Sequence, residues 1–247
     1  MKIKNIEKIF AIEKGDVISI VGSGGKTTLM FQLANSLKNK YRVLITTSTK
    51  IFRPSVDKYD YIYTSFDDYK NNKVEYKSGI TVVSKDYNYE NNKLLGIDDN
   101  ILKSIINDFD VTVIEADGSR NLPLKGWKNH EPPILSKTNK TIGIIPIDVL
   151  GKKISKENIY GYEEFQNFVN NEDIVNKEII GRICSSKVGI FKNSMGKRYL
   201  LINKADSDED LKNAHYLANY LNDYIKGNPF DFKICISSLK NAIFYEL

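Results

Sequence analysis

Short apolar runs alternate with amphipathic stretches along most of the chain. Apolar runs of strand length occupy residues 17–21, 42–46, 61–63, 80–84, 111–116, 142–147, 199–202 and 232–236. Apolar residues spaced three and four positions apart predict helices at residues 27–37, 100–107 and 208–225. Because most of these strands are apolar at nearly every position, we expect helices to cover both faces of the sheet, as in parallel sheets.

The alternation of strands and helices predicts an α/β fold of three layers, with helices on both faces of a doubly wound, mostly parallel sheet. No internal repeat or linker rich in Pro and Ser is visible, so we expect residues 1–247 to form a single domain. About residues 57–92 form a variable region rich in Tyr and Asn. Residues 118–140 form a long irregular stretch, which is typical of a functional loop.

Charge and composition indicate which classes of partner and which cellular compartment to expect. The 36 Lys and Arg residues and the 31 Asp and Glu residues give a net charge of +5 and are interspersed, so we expect no nucleic-acid partner. No run approaches the roughly 20 apolar residues that span a bilayer, so we expect no membrane partner. The two cysteines, Cys184 and Cys235, cannot form a disulfide framework and are not part of a zinc motif. Residues 1–16 contain no secretion signal. These features favour a cytoplasmic protein.

A glycine-rich loop lies between the first predicted strand and the first predicted helix. Its residues, all candidates for nucleotide binding, are Gly22, Ser23, Gly24, Gly25, Lys26, Thr27 and Thr28. Glycines let backbone N–H groups converge on phosphate oxygens, and the N-terminus of the helix adds further donors. Lys26 would reach the outer phosphates and serve catalysis, and the Thr27 hydroxyl would bind Mg²⁺.

This loop is shorter than the G-x-x-x-x-G-K-[ST] pattern, because Ile20 stands where the first glycine of that pattern is expected. The strand–loop–helix setting nevertheless predicts a fold of the P-loop NTPase type that binds Mg²⁺ and either GTP or ATP. A glycine-rich turn with a surface lysine is the alternative.

Acidic residues follow the strand predicted at 111–116. Ligands of open parallel sheets bind beyond the carboxyl ends of the strands. Glu115 and Asp117 are therefore expected to bind Mg²⁺ or to orient the attacking group. Further along, Lys125 and His130 are candidates for catalysis, with surface or structural roles as the alternative. Capping of a turn is the alternative for Asp117.

Cationic and hydroxyl side chains lie at two other places in the chain. Thr47, Thr49 and Lys50 follow the second predicted strand, and Arg120 lies in the irregular stretch. We expect these residues to contact phosphate or an anionic substrate. A polar loop that caps the next element is the alternative for the threonines.

Asn203, Lys204 and Asp206 form an N-K-x-D pattern at the end of a late strand. A carboxylate at the fourth position can accept two N–H groups from the guanine edge, a donor pair that adenine lacks. Asn203 would brace the phosphate loop, and the stem of Lys204 would lie along the base. Ser237 and Ser238 follow the last strand and would back the ring.

These residues favour GTP over ATP. The alternative for this segment is a helix cap, because Asp206 or Ser207 could cap the helix predicted from residue 208.

The order of these motifs resembles the YqeC family. The blocks are GxGGKTTL at 22–29, TTSTK at 46–50, EADGSR-x-LPLK at 115–125, HEPP at 130–133, IPIDVLGK at 145–152, GIFK at 189–192 and INKAD at 202–206. The resemblance implies a P-loop NTPase-like accessory protein in the maturation or cofactor handling of selenium-dependent molybdenum hydroxylases. Its partner would then be such a hydroxylase or its cofactor.

Three kinds of function follow from these observations. The first is a nucleoside triphosphatase or a phosphoryl or nucleotidyl transferase, for which a homodimer is a further expectation. The second is an ATP-dependent amide ligase of the Mur type, which also uses a short G-x-x-G-K-T-T loop but usually carries additional domains. The third is a scaffold or chaperone that binds nucleotide without hydrolysing it.

Overall fold

The computed structural model describes residues 2–3, 5–226 and 231–245, and it describes side chains from residue 5 onward. The strands are β1 (Lys2–Ile3), β2 (Val17–Gly22), β3 (Arg42–Thr47), β4 (Lys50–Phe52), β5 (Tyr61–Tyr63), β6 (Gly79–Val83), β7 (Asp86–Asn88), β8 (Lys93–Leu95), β9 (Val111–Glu115), β10 (Leu124–Lys125), β11 (Lys140–Pro146), β12 (Ile159–Tyr160), β13 (Lys197–Asn203), β14 (Lys233–Ser238) and β15 (Ile243–Tyr245). The helices are α1 (Ile6–Ile9), α2 (Lys26–Leu37), α3 (Phe66–Asn72), α4 (Asp99–Ile105), α5 (Tyr162–Phe165), α6 (Lys177–Ser185) and α7 (Asp208–Tyr224). None of the helices in the described ranges has the length and apolar character that a bilayer crossing requires.

A ten-stranded sheet forms the centre of the fold, in the order β1-β15-β14-β13-β11-β2-β9-β3-β6-β5. Every pairing from β14 to β5 is parallel, and β15 and β1 add an antiparallel edge. Two small sheets lie outside it: β10 pairs with β12, and β8 pairs with β4 and β7. The prediction of a mostly parallel sheet is confirmed.

Helices cover both faces of this sheet and create two separate cores. On one face, α2 buries Leu29, Met30 and Leu33 against Ile18 and Ile20 of β2. The opposite core holds the apolar sides of α4, α6 and α7 together with Val17 and Val21, the other β2 residues that point away from α2. Successive side chains of a strand point to opposite faces, so an apolar strand such as β2 supplies both cores at once. The three predicted layers are therefore present.

The predicted strands and helices are all present, with bounds that differ by at most two residues. The region rich in Tyr and Asn is also regular, because it supplies β5, β6, α3 and β7. Its Tyr63 and Tyr69 are buried in the core, and their rings meet edge to face at 5.2 Å. Within the described ranges, seven short strands (β1, β4, β7, β8, β10, β12 and β15) and the helices α1, α3, α5 and α6 were not predicted. These strands have two or three residues each, too few to show a periodic pattern.

The amino ends of β3 and β9 are tied by a buried carboxylate. Asp110 accepts hydrogen bonds from the Arg42 guanidinium at 3.2 and 3.1 Å and from the Arg42 backbone N–H at 2.9 Å. The Lys14 ammonium lies 2.9 Å from the same carboxylate. The hydrogen bonds from Arg42 are the main reason that the pKa of Asp110 lies well below its usual range.

We predict that Asp110→Asn lowers the free energy of unfolding at pH 7 by roughly 1.5–3 kcal/mol, the range for hydrogen bonds to a charged group. A lowered folded-state pKa stabilises the protein above the unfolded-state pKa, and that stabilisation is lost as the pH falls from about 4. Urea unfolding at pH 7 and at several values between 5 and 3 measures both effects. The exposed Asp231 gives the control substitution Asp231→Asn. The prediction would be contradicted if the difference in the free energy of unfolding between the wild type and Asp110→Asn stayed constant down to pH 3.

Candidate functional site

The glycine-rich loop passes close to the ends of two neighbouring strands. Gly24 and Gly25 have φ values of +77° and +142°, which L side chains rarely adopt. A Cβ on Gly24 would lie 2.6 Å from Cγ of Pro146, and a Cβ on Gly25 would lie 2.6 Å from Nδ2 of Asn203. Both conformation and space therefore require glycine at these two positions.

Lys26 begins α2 and turns its side chain back into the loop. Its Nζ donates a hydrogen bond of 2.6 Å to the Gly22 carbonyl and lies 3.4 Å from Oδ1 of Asp117. The residue is only 6% exposed. The unpaired N–H groups of the first turn of α2 face the same loop, so the positive end of the helix and a buried ammonium group lie together.

Two carboxylates stand at the end of β9 beside this loop. Oε2 of Glu115 accepts a hydrogen bond of 2.6 Å from the Thr27 hydroxyl. Asp117 is fully buried, and its Oδ2 accepts a hydrogen bond of 3.1 Å from the Gly22 backbone N–H. Burial raises the pKa of Glu115, and the nearby Lys26 and Thr27 oppose that rise. Glu115 is thus a carboxylate whose negative charge is costly at this position.

The donors at this point fit a magnesium ion. Mg²⁺ prefers oxygen ligands, keeps several waters and is usually held by one or two carboxylates together with substrate phosphates. The Thr27 hydroxyl, Glu115 and Asp117 are such donors, and Oδ1 of Asp117 is buried without a hydrogen-bond partner. The described residues contain no group of three or more metal-ligating side chains, so phosphates and water would have to complete the coordination.

The irregular stretch after β9 folds back over the loop. The Ser23 hydroxyl donates a hydrogen bond of 2.6 Å to the Pro123 carbonyl, which joins the two segments. Lys125 is almost completely buried, and its Nζ donates to the Gly118 carbonyl at 2.9 Å. The same ammonium lies 3.4 Å from carboxylate oxygens of both Asp117 and Glu131.

Other predicted residues of this group lie at the surface. Arg120 is exposed, with φ at +49° and its guanidinium 5.4 Å from the centre of the Tyr160 ring. His130, Thr28 and Lys50 are exposed as well. The structure brings none of these four side chains into the buried cluster around Asp117, and their roles stay predictions.

Thr47, the last residue of β3, connects that strand to β9 through its side chain. The Thr47 hydroxyl is buried and donates a hydrogen bond of 2.7 Å to the Glu115 carbonyl. Thr49 lies beside it, with 3.3 Å between the two hydroxyl oxygens. Thr47 thus helps to place Glu115, and a phosphate contact by either threonine stays a prediction.

Asn203 joins the loop to the ends of β13 and β14. Its Nδ2 donates a hydrogen bond of 2.7 Å to the Gly24 carbonyl. Its Oδ1 accepts hydrogen bonds from the Ser237 hydroxyl at 3.0 Å and from the Leu239 backbone N–H at 3.1 Å. The side-chain amide of Asn203 therefore fixes the loop relative to the last two parallel strands.

The remaining residues of the N-K-x-D pattern make different contacts. Lys204 pairs with Asp148 at 3.0 Å, and Asp206 is exposed and accepts a hydrogen bond from the Ser238 hydroxyl. The cap of α7 is Ser207, which forms a reciprocal pair of hydrogen bonds with Asp210. Because Ser207 is the cap, the carboxylate of Asp206 is not needed for that purpose.

Sequence reasoning did not find three residues of the site. The indole Nε1 of Trp127 donates a hydrogen bond of 3.1 Å to Asp117, and Glu131 and Asp148 pair with Lys125 and Lys204. The IPID run that contains Asp148 and the PLK and HEPP runs around Trp127 were the available signals. A run of residues identifies a segment but does not show which side chain will meet a partner that is distant in sequence.

Comparisons with known proteins agree on one family. A family model described as YqeC protein matches residues 18–163. A protein of Escherichia coli (strain K12) named "Uncharacterized protein YqeC" is 34% identical over 158 residues, which cover 63% of this chain and 61% of that protein. The chain therefore spans about three fifths of the length of the curated relative that it matches. The family model covers the glycine-rich loop and both carboxylates, and it ends before Asn203.

We predict that Glu115→Gln raises the free energy of unfolding of the nucleotide-free protein at pH 7. A carboxyl group whose pKa is raised in the folded state loses stability as the pH rises above its unfolded-state pKa of about 4.3, and the neutral amide removes that loss. Urea unfolding between pH 4 and pH 8 should therefore show a smaller decline for the variant. Glu90→Gln, at an exposed turn, is the control. A variant that is less stable than the wild type at pH 7 and equal to it at pH 4 would contradict the prediction.

Proposed function

We propose that this chain, which belongs to the YqeC family, binds a magnesium nucleoside triphosphate at the carboxyl ends of its parallel strands. The observation that carries the proposal is the arrangement of side chains at the start of α2. There Lys26, the positive end of the helix and two glycines with no room for a Cβ adjoin Glu115 and Thr27. Converging N–H donors and a lysine are the groups that bind phosphates, and a hydroxyl with a carboxylate suits the accompanying metal.

Phosphate binding would redistribute the contacts of Lys26. Its ammonium now donates to the Gly22 carbonyl and faces Asp117, and the outer phosphates would replace these partners. The bound magnesium ion would neutralise charge on the phosphates. Thr27, Glu115 and Asp117 are the residues that would hold it, directly or through water. Glu115 has the further capacity to accept a proton from water or another attacking group, because its pKa is raised.

GTP is the nucleotide that the other end of the site favours. Asp206 presents an exposed carboxylate at the end of β13, and Ser238 orients it through a hydrogen bond. Because Ser207 caps α7, Asp206 is available to accept the two N–H groups of a guanine edge. The amide of Asn203 connects this position to the phosphate loop through its bond to Gly24.

The reaction that we propose is hydrolysis of the nucleotide or transfer of its phosphoryl or nucleotidyl group. Within this proposal the nucleotide cycle serves the maturation or cofactor handling of selenium-dependent molybdenum hydroxylases, as the order of the shared motifs implies. Product analysis separates the alternatives. Release of ADP that depends on an acyl acceptor would favour an amide ligase, and tight binding without turnover would favour a scaffold.

We predict that GTP with Mg²⁺ stabilises the wild-type protein against thermal unfolding and that Lys26→Ala abolishes the effect. A ligand that binds only the folded state stabilises it by about 2.7 kcal/mol at 100 times its dissociation constant. Thermal-shift assays with GTP, GDP, ATP and ADP measure this stabilisation. Lys103→Ala, at an exposed position of α4, is the matched control and should respond as the wild type does. The absence of a shift with every nucleotide would refute the proposed function.

We predict that Asp206→Asn removes the preference for guanine without removing phosphate binding. The amide would offer one acceptor and one donor to the base, so one of the two N–H groups of guanine would lose its partner. The expected loss is about 10-fold or more in affinity for GDP, corresponding to at least 1.4 kcal/mol. Isothermal titration calorimetry with GDP and ADP gives the ratio of affinities for the wild type and the variant. An unchanged ratio would assign base recognition to other residues.

A further inference from the structure

The two oxygens of the Asp117 carboxylate have different surroundings. Oδ2 accepts hydrogen bonds of 3.1 Å from the Gly22 backbone N–H and 3.1 Å from the Trp127 indole, and it lies 3.4 Å from the Lys125 ammonium. Oδ1 is buried without a hydrogen-bond partner and lies 3.4 Å from Lys26. The carboxylate is therefore held through Oδ2, whereas Oδ1 accepts no hydrogen bond and faces Lys26 of the phosphate loop.

Two of the three groups on the Oδ2 side, Trp127 and Lys125, come from the segment that follows β9. Trp127 is 5% exposed, and its ring meets Phe168 edge to face at 6.3 Å, so the indole has a fixed place in the core. Lys125 is held by the Gly118 carbonyl, by Glu131 and by the faces of the Trp127 and Tyr160 rings. These contacts fix the positions of both donors.

Burying two cations and a carboxylate in this way is costly unless the geometry is well satisfied. The same contacts are effective at fixing one orientation of a carboxylate. Residues that hold a metal ligand from behind typically contribute 10- to 100-fold to metal affinity. Asp117 has one oxygen saturated by such contacts, and the other faces the lysine that phosphates are expected to engage.

We propose that Trp127 and Lys125 are positioning residues, which fix Oδ2 of Asp117 so that Oδ1 faces the magnesium ion of the bound nucleotide. The inference rests on the proposed function, because it presumes that a magnesium nucleotide occupies the loop. It adds Trp127, to which sequence reasoning assigned no role, and it gives Lys125 a positioning task rather than a contact with substrate.

The first test measures how strongly Mg²⁺ tightens nucleotide binding. Isothermal titration calorimetry with the non-hydrolysable guanosine 5′-(β,γ-imido)triphosphate is carried out in EDTA and across a series of Mg²⁺ concentrations. Trp127→Phe keeps an aromatic ring and removes the N–H donor, and Lys125→Met keeps the length of the side chain and removes the charge. We expect each variant to need a Mg²⁺ concentration about 10-fold or more above that of the wild type to reach half of the maximal increase in nucleotide affinity. Affinity in EDTA should stay at the wild-type value.

Tyr69→Phe is the matched control for the loss of one buried aromatic donor. The Tyr69 hydroxyl donates a hydrogen bond of 2.7 Å to Asp108. Asp108 precedes β9 and so lies at the amino ends of the parallel strands, opposite the candidate site. This variant should lose stability and keep the wild-type dependence on Mg²⁺. A shift in Mg²⁺ dependence of the same size in Tyr69→Phe would show that general destabilisation is the cause and would overturn the inference.

The second test uses the wild-type protein and does not depend on the folding of a variant. The sequence contains one tryptophan, so all tryptophan emission comes from Trp127. Mn²⁺ is a paramagnetic quencher, and its binding next to a carboxylate bonded to the indole should quench that emission. We expect quenching at stoichiometric Mn²⁺ only when the imido-triphosphate is present, and no such quenching with Mg²⁺.

The outcomes separate this inference from the proposed function. If the wild type binds no nucleotide in EDTA or Mg²⁺, both are overturned. If it binds nucleotide with a normal dependence on Mg²⁺, while both variants keep that dependence and Mn²⁺ leaves the emission unchanged, the inference alone is overturned. A shifted Mg²⁺ requirement together with nucleotide-dependent quenching supports both.

Discussion

The parallel registers of β2, β9, β11 and β13 place the glycine-rich loop, the end of the acidic strand and Asn203 next to one another. Ile20 pairs with Glu115 of β9, and Gly22 pairs with Ile144 of β11, so the glycine-rich loop begins where the acidic strand ends. The register of β11 with β13 then sets Asn203 opposite Pro146. A shift of one residue in any of these pairings would turn the side chains involved to the other face of the sheet and separate them. The site is in this sense a product of strand pairing, with the loop as its most constrained part.

This geometry concentrates charge in a place that is poorly solvated. Lys26, Lys125, Asp117 and Glu115 are all nearly buried, and the desolvation of such groups costs more than their mutual attraction returns unless hydrogen bonds complete the arrangement. Two signs of incompleteness remain, namely Oδ1 of Asp117, which accepts no hydrogen bond, and the raised pKa of Glu115. Stable interiors rarely keep such groups, and departures of this kind are concentrated at functional sites. A magnesium nucleotide would supply the missing partners: cationic charge for the carboxylates and anionic charge for Lys26.

Sequence reasoning predicted the layers of the fold and the strand ends that carry polar residues, because both depend on local periodicity and on a general property of parallel sheets. It could not predict which side chains meet there. Lys125 and His130 looked alike as candidates, and only the path of the segment after β9 makes Lys125 buried and His130 exposed. Trp127 was assigned no role from the sequence. Its bond to Asp117 depends on packing against Phe168, which is distant in sequence.

The part of the candidate site at the glycine-rich loop and the part around Asp206 are joined by one described side-chain hydrogen bond. The family model spans the phosphate end, with the loop, both carboxylates and Trp127, whereas Asn203 and Asp206 lie beyond it. The only described side-chain bond from the N-K-x-D residues to the loop runs from Asn203 to Gly24, and Asn203 also bonds Ser237 and Leu239. If Asp206 reads the base as proposed, a change at Asp206 or Ser238 would alter base recognition while the loop keeps its shape. A change at Asn203 alters the loop itself, because the Asn203 amide bonds the Gly24 carbonyl. Under the proposed function, Asn203 is therefore the residue at which choice of base and handling of phosphate would be coupled.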